Sequence, residues 1–427
     1  MNFKLIALIL FICMYAIMII KSKFRVHAAA ATAILYIATG ILPFVEIPNV
    51  INWNVLMMLV GTMIIVDYFI ASKMPNLIAD YLLDHSKNVM WVTIYMSLFS
   101  GLVSAFIDNV ATVLMIAPVG LAICSSLGIS PVPMILCIAV SSNLQGAATL
   151  VGDTTSIMLG AYAGMDFTSF FFMNGRPGIF FAVELGALAT IPIIMFLFRH
   201  ERAPLTGNVR ERTTVTNYMP TVMLVMVVVL LILASFIPDK PDITNGLICI
   251  CMAVLTIVIT VIQSRSTKEA QHALQSVDVE TLALLFSLFL VIAGVTAVGI
   301  IDDIANWIVK AGGSNLFILY SIIVWGSVII SAFVDNIPYV ATMLPVLQTV
   351  TSLLGIEPYV LYFGLLTGAT LGGNLTPIGA SANITAVGIL KKNGHETSFG
   401  DFMRIGVPFT LTAVFVGYVF IWIFWGK

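Results

Sequence analysis

Charge is scarce in this chain: Asp, Glu, Lys and Arg make up 9% of its 427 residues, against 60% hydrophobic residues and a mean hydropathy of +1.06. No soluble globular composition comes near those values, so the sequence reads as an all-α polytopic membrane protein. A net charge of −2 leaves no electrostatic footprint for nucleic acid. No phosphate-cradling loop of the Walker type is present, which argues against ATP-driven chemistry within the chain, and nothing in the sequence points to an enzyme or to a bound cofactor. The five cysteines, Cys13, Cys124, Cys137, Cys249 and Cys251, all sit in apolar runs at spacings that match no zinc or redox motif, and are read as buried structural thiols. The first apolar run, about residues 3–20, has no small-residue cleavage site before Lys21 and is read as a membrane helix.

Against this apolar background one polar segment occurs twice. Residues 104–119 read SAFIDNVATVLMIAPV and residues 331–346 read SAFVDNIPYVATMLPV, so that Asp108-Asn109 recurs as Asp335-Asn336 at an offset of 227 with no gap. A carboxylate beside a carboxamide at membrane depth is costly unless it serves a purpose or caps a helix. The frame continues: residues 145–156 read QGAATLVGDTTS and residues 372–383 read GGNLTPIGASAN, which superposes Gly146, Thr149 and Gly152 on Gly373, Thr376 and Gly379.

With about 20 apolar residues per span, crossings are expected near 3–20, 27–43, 53–72, 131–164 and 177–198 in the first half. The second half gives 219–237, 244–262, 280–300, 358–390 and 406–425. Residues 89–127 and 316–354 each hold two apolar arms that meet at Asp-Asn, and are read as re-entrant hairpins. The runs 131–164 and 358–390 are too long for one helix and are read as broken helices. The expected organisation is therefore a first repeat (1–198), a cytoplasmic linker (199–218) whose charge is read as a solvated face, and a second repeat (219–427).

Five crossings per repeat is an odd number, so the repeats must be inverted with respect to each other. With both termini outside, Lys21, Lys23, Arg25, Lys73, Lys87, Arg199, Arg202, Arg210, Arg212, Arg265, Lys268, Lys391, Lys392 and Arg404 fall in the cytoplasm. Lys4, Arg176, Lys240, Lys310 and Lys427 fall outside, so 14 of the 19 basic residues obey the positive-inside rule.

Inverted repeats with discontinuous helices at mid-membrane are the means by which secondary transporters build an ion and substrate site. The candidate binding residues are Asp108, Asn109, Thr149, Asp153, Asp335, Asn336, Asn374, Thr376, Ser381 and Asn383. Ser104 and Ser331 lie one helical turn before the aspartates and, with Asn109 and Asn336, offer oxygen ligands suited to sodium. The aspartates can instead carry protons, leaving sodium and proton coupling both open. Pro338 stands where a second half-helix starts and where a missing N–H is harmless; its counterpart is Ala111. Asp67 is read as structural, near the cytoplasmic end of its span, and Glu184 as an open candidate for a proton carrier.

The segments AFIDNVATVLMIAPV, FVDNIPYVATMLPV, GAATLVGD and GGNLTPIGASAN resemble the ion transporter superfamily, which holds arsenite permeases, NhaD-type sodium/proton antiporters, the melanosomal P protein and sodium-coupled dicarboxylate symporters. The resemblance covers most of both halves and is nearest the arsenite-permease and P-protein branch. It implies a dimerising scaffold domain, hence a homodimer in the cell membrane, and a transport domain of hairpins and broken helices that moves as an elevator. In the dicarboxylate branch the tips carry Ser-Asn-Thr; carried over by position this points to Ser104, Asn109, Ser331 and Asn336. This chain departs from it, with an acid at each tip and no Lys or Arg near either in the sequence, which disfavours a dicarboxylate. The expected activity is secondary transport of a small inorganic ion or a metalloid such as arsenite, coupled to protons or sodium. A sodium-coupled carboxylate carrier and a passive channel stand as alternatives.

Overall fold

A computed structural model describes residues 3–199, 213–215, 217–313 and 315–426. Nearly all of it is helical. The first half contains α1 (Phe3–Ile20), α2 (Arg25–Ala38), the single turn α3 (Ile47–Val50), α4 (Trp53–Ala71), α5 (Met74–Asp84), α6 (Val89–Ser104), α7 (Asn109–Leu127), α8 (Val132–Gly146), α9 (Thr154–Ala163) and α10 (Ile179–Leu197). The second half contains α11 (Met219–Ala234), α12 (Thr244–Ser264), α13 (Lys268–Gln275), α14 (Val279–Ala297), α15 (Ile300–Gly312), α16 (Leu316–Ser331), α17 (Asn336–Leu354), α18 (Tyr359–Leu366), α19 (Ser381–Lys392) and α20 (Phe399–Trp425). One exception to the all-α expectation is a two-residue hairpin, β1 (Phe172–Met173) on β2 (Arg176–Pro177), closed by Asn174 and Gly175 at positive φ.

Among the described residues eight helices are long and apolar enough to cross a membrane, or nine if the bent pair α15 and α16 counts as one span. The ten predicted crossings are therefore not all full-length helices. α2 has 14 residues and α11 has 16, and each broken helix is split into short pieces. The second arms α7 and α17 have 19 residues each, about 28 Å at 1.5 Å per residue. Three helices escaped the hydropathy reading: α5, α13 and α15 each carry charged residues on one face, which lowers their mean hydropathy below that of a span. Most of the linker, residues 200–212 and 216, lies outside the described residues; at its end Thr213 N–H donates to Asp80 on α5 at 2.9 Å.

The local chemistry explains the breaks. Gly128 and Gly355, related by 227, take the left-handed conformation that ends α7 and α17, and Pro131 and Pro358 follow three residues on to open α8 and α18. Thr149 and Thr376 donate their hydroxyls to the carbonyls of Ala105 and Ala332, fastening each broken helix to the end of the hairpin's first arm. Gly152 and Gly379 pass so close to that arm that a Cβ would lie 2.6 Å from the carbonyls of Ser104 and Ser331 respectively.

Packing recurs at the same offset. α6 lies on α8 as α16 lies on α18 and the π-helical turn Thr367–Leu371 that extends it. Across the halves, α9 packs on α17 and α19 on α7, while α4 packs on α12 and α2 on α14. α10 packs on α20. Each half thus supplies surface to the other, and the hairpins and broken helices form the middle of one continuous core. Of the cysteines, Cys124, Cys137 and Cys249 are buried as expected; Cys13 and Cys251 are exposed on apolar helix faces, since a thiol is tolerated against lipid as well as inside.

Candidate functional site

Both Asp-Asn tips are N-caps. Asp108 Oδ2 accepts from the backbone N–H groups of Val110 and Ala111, at 2.9 and 3.2 Å, where α7 begins. Asp335 Oδ1 accepts from Ile337 at 3.4 Å, and Pro338 takes the place of the second donor, as its position suggested. A carboxylate at a helix N-terminus meets unpaired N–H groups and the positive end of the helix dipole, which offsets part of its desolvation. The capping alternative to a functional acid is therefore realised, yet it uses one oxygen of each acid. Asp108 Oδ1 has no hydrogen-bond partner among the described residues and the residue lines a cavity.

That cavity has a volume of about 570 Å³. Its inner wall is made by Asp108, Asn109, Asp153 and Asn336, with Thr154 and Ser381 at the starts of α9 and α19, so both tips and both broken helices reach it. Its outer wall carries Lys23, Arg25, Asp67, Asp278 and Glu280.

Behind the wall lies a buried amide network. Asn109 Nδ2 donates to Asn143 Oδ1 at 2.9 Å; Asn143 Nδ2 donates to the carbonyl of Thr370 at 2.7 Å and to Asn374 Oδ1 at 3.1 Å; Asn374 Nδ2 donates to the carbonyl of Val140 at 2.9 Å. Asn143 and Thr370 are themselves separated by 227 residues, so the two halves meet here at corresponding positions. Thr155 Oγ1 donates to Asp153 Oδ2 at 2.9 Å and lies 3.0 Å from Thr370 Oγ1, and Asn336 Nδ2 reaches the same Asp153 oxygen at 3.4 Å. Satisfied networks of this kind hold a site rigid, because a broken bond in low dielectric has no water to replace it.

The predicted residues separate into three groups, and Asp335 stands alone in one: it is not among the residues that line the cavity, and its Oδ2 pairs with Arg25 and accepts from Ser381 Oγ. Asp108, Asn109, Asp153, Asn336 and Ser381 line the cavity. Thr149, Thr376, Asn374 and Asn383 do not; their donors bind backbone carbonyls and neighbouring amides, with Asn383 Nδ2 donating to the carbonyls of Gly373 and Thr376 at 3.1 and 3.3 Å, while Asn383 Oδ1 is buried with no partner among the described residues. Of the serines one turn before the tips, Ser331 Oγ donates to the carbonyl of Ala369 at 2.6 Å, while Ser104 Oγ is buried with no partner among the described residues. Asp67 lines the cavity and lies 3.4 Å from His272 Nδ1. Glu184 is half-buried away from the cavity, with Oε1 lacking a partner among the described residues.

One expectation is overturned. Basic residues are absent from the tips in sequence, but Arg25 at the start of α2 reaches the second tip, where Nη1 pairs with Asp335 Oδ2 and donates to Ser381 Oγ at 2.9 Å. The cause is topological: 310 residues separate Arg25 from Asp335, and the packing of α2 on the second half brings them together. Asn143 also went unnoticed, because its counterpart is Thr370 and the repeat carries no signal there; the buried polar run Ser141, Ser142, Asn143 and Gln145 was the available sign.

The chain matches the sequence profile of the CitMHS citrate transporters over residues 14–363 and again over 239–427. It is 29% identical over 429 residues to an uncharacterized transporter of Mycobacterium tuberculosis, with 98% of each chain covered. It is 30% identical over 433 residues to a 46 kDa membrane protein of Mycobacterium leprae, again with 98% of each covered. The human P protein is 26% identical over 492 residues, covering 94% of this chain and 58% of that protein. Among solved structures the YdaH transporter of Alcanivorax borkumensis has a similar fold, with a TM-score of 0.61 at 14% identity, covering 99% of this chain and 98% of that one. The chain is a multi-pass membrane transporter and belongs to the CitMHS citrate transporter family of the ion transporter superfamily.

Proposed function

We propose that the protein is a secondary active transporter that moves a small inorganic ion or a metalloid hydroxide of the arsenite type, coupled to protons or sodium. The observation that carries this reading is the 570 Å³ cavity whose inner wall joins Asp108 and Asn109 of one tip to Asn336 of the other, with Asp153 between them. Its wall is rich in acids: Asp67, Asp108, Asp153, Asp278 and Glu280 face it, against Lys23 and an Arg25 that is already paired. Such a wall attracts a cation or admits a neutral hydroxide and repels a free polyanion. Lys23 and Arg25 on its wall belong to the segment that the positive-inside reading puts in the cytoplasm, which supports a cavity reached from that side.

In this reading residues 1–198 and 219–427 are inverted repeats joined by the cytoplasmic linker 199–218, and both termini are outside. The hairpins 89–127 and 316–354 and the broken helices 131–164 and 358–390 form the moving unit, the remaining helices form a scaffold that dimerises, and the cycle is an elevator. Asp108 and Asp153 take the coupling cation, with Asn109, Asn336 and Ser381 beside the substrate. A second reading, a sodium-coupled carboxylate carrier, is favoured by Arg25 at the cavity wall and by the citrate transporters of the family profile.

Uptake of arsenite, antimonite and citrate into inverted vesicles, with imposed proton or sodium gradients, tests both. Arsenite uptake that follows a gradient supports the first reading, and citrate uptake without arsenite uptake replaces it with the second. Fluxes indifferent to every gradient reject coupling and leave a passive channel.

A further inference from the structure

The two tips match in sequence but differ in charge balance. At the second tip Arg25 Nη1, Asp335 Oδ2 and Ser381 Oγ form a closed triangle, since Ser381 Oγ also donates to Asp335 Oδ2 at 2.9 Å. The arginine and aspartate side chains are 21% and 13% exposed, so the pair is largely withdrawn from solvent. A positive nitrogen between a carboxylate oxygen and a hydroxyl oxygen stands where a small oxygen-seeking cation would stand.

At the first tip no such partner is present among the described residues. Asp108 binds only backbone N–H groups among the described residues, and the position related to Arg25 by the offset is Met252. The second tip is held once more, as Tyr15 on α1 donates to the carbonyl of Pro338 at 2.8 Å and lies 2.7 Å from Thr342 Oγ1. α1 and α2 therefore fasten one tip of two.

We propose that Arg25 is a built-in cation at the second tip, filling the place beside Asp335 and Ser381, so that an external monovalent cation is taken at the first tip alone. This rests on the reading of the tips as ion sites and adds to it a determinant of ion number. Arg25 thus brings to one tip the positive charge that an ion would otherwise bring. Removing the guanidinium leaves Asp335 as an uncompensated carboxylate of low exposure, which recruits a replacement cation.

The test is thermal unfolding of the purified full-length protein against sodium chloride, with ionic strength held by choline chloride, for wild type, Arg25→Met, Arg25→Lys, Asp335→Asn and the double variant Arg25→Met/Asp335→Asn. The expected result is a sodium-dependent rise in Tm in Arg25→Met with a midpoint at least about tenfold lower than any in the wild type, as the charged competitor is gone. Arg25→Lys keeps the charge and behaves as wild type, and the double variant loses the gain. The same sodium response in wild type and Arg25→Met, or a gain that survives Asp335→Asn, overturns the assignment. Should Arg25→Met be unstable, recovery in sodium but not in choline supports it, and loss in both salts, repeated with Arg25→Gln, overturns it. The vesicle fluxes keep the two proposals apart: uptake blind to gradients with the gain present removes coupling but keeps Arg25, and gradient-driven uptake without the gain does the reverse.

Discussion

Asn336, at the second tip, donates its side-chain amide to Asp153 in the first broken helix, 3.4 Å away and 183 residues earlier. This bond joins the halves at the cavity wall, and Asp153 has no acid at its related position, Ala380. The interaction is therefore a cross-half feature that neither repeat contains alone.

Removing either partner should damage the same function. Initial uptake rates in proteoliposomes are expected to fall about tenfold or more, at least about 1.4 kcal/mol, in Asp153→Asn and in Asn336→Ala. The double variant should be little worse than either single one, because residues in one network are not additive. Fully multiplicative losses would show that the two residues act separately.

Asp108 has two duties that substitutions can separate. Asn caps a helix about as well as Asp, so Asp108→Asn should leave thermal stability within about 0.5 kcal/mol, while Asp108→Ala should cost about 1 kcal/mol. Gradient-driven uptake should be lost in both. An Asp108→Asn protein with wild-type coupling would leave the acid as a cap and nothing more.

Close approach at the breaks predicts a paired loss of stability. A Cβ at Gly152 would meet the carbonyls of Gly146, Ser104 and Ala105 at 2.6, 2.6 and 2.7 Å, and at Gly379 those of Gly373, Ser331 and Ala332 at 2.5, 2.6 and 3.0 Å. Gly152→Ala and Gly379→Ala should both lose folded yield in a detergent-stability assay, as backbone cannot give way. Gly326 and Gly388 have nothing within 4 Å, and their Ala variants should match or exceed wild-type stability.

The hydroxyls beside those glycines give a further matched pair. Thr149→Val and Thr376→Val each leave a carbonyl of the first hairpin arm without its donor, a loss of about 1–3 kcal/mol. Equal drops in thermal stability are expected. A loss confined to one half would mean that the two breaks do not carry equivalent loads.

Much of this architecture was readable from the chain. The Asp-Asn tips stood out because acids in apolar runs are rare. Thr149 and Thr376 were also visible through the repeat, and Asn374 and Asn383 through their place in its polar break, yet such breaks hold structural and functional positions alike; only the hydrogen bonds reveal that these residues brace the breaks instead of lining the cavity. Asn143 and Arg25 were invisible because the positions 227 residues on hold residues of another type, Thr370 and Met252.

The sequence by itself determined the membrane class, the two-fold repeat, the places where helices break and the acids at the tips, since each follows from local composition or from self-comparison. Tertiary structure decided the charge balance at those acids. Whether a buried carboxylate is bare or neutralised depends on what lies within a few ångströms, and α2 delivers Arg25 to Asp335 from 310 residues away, a proximity that hydropathy and periodicity do not encode.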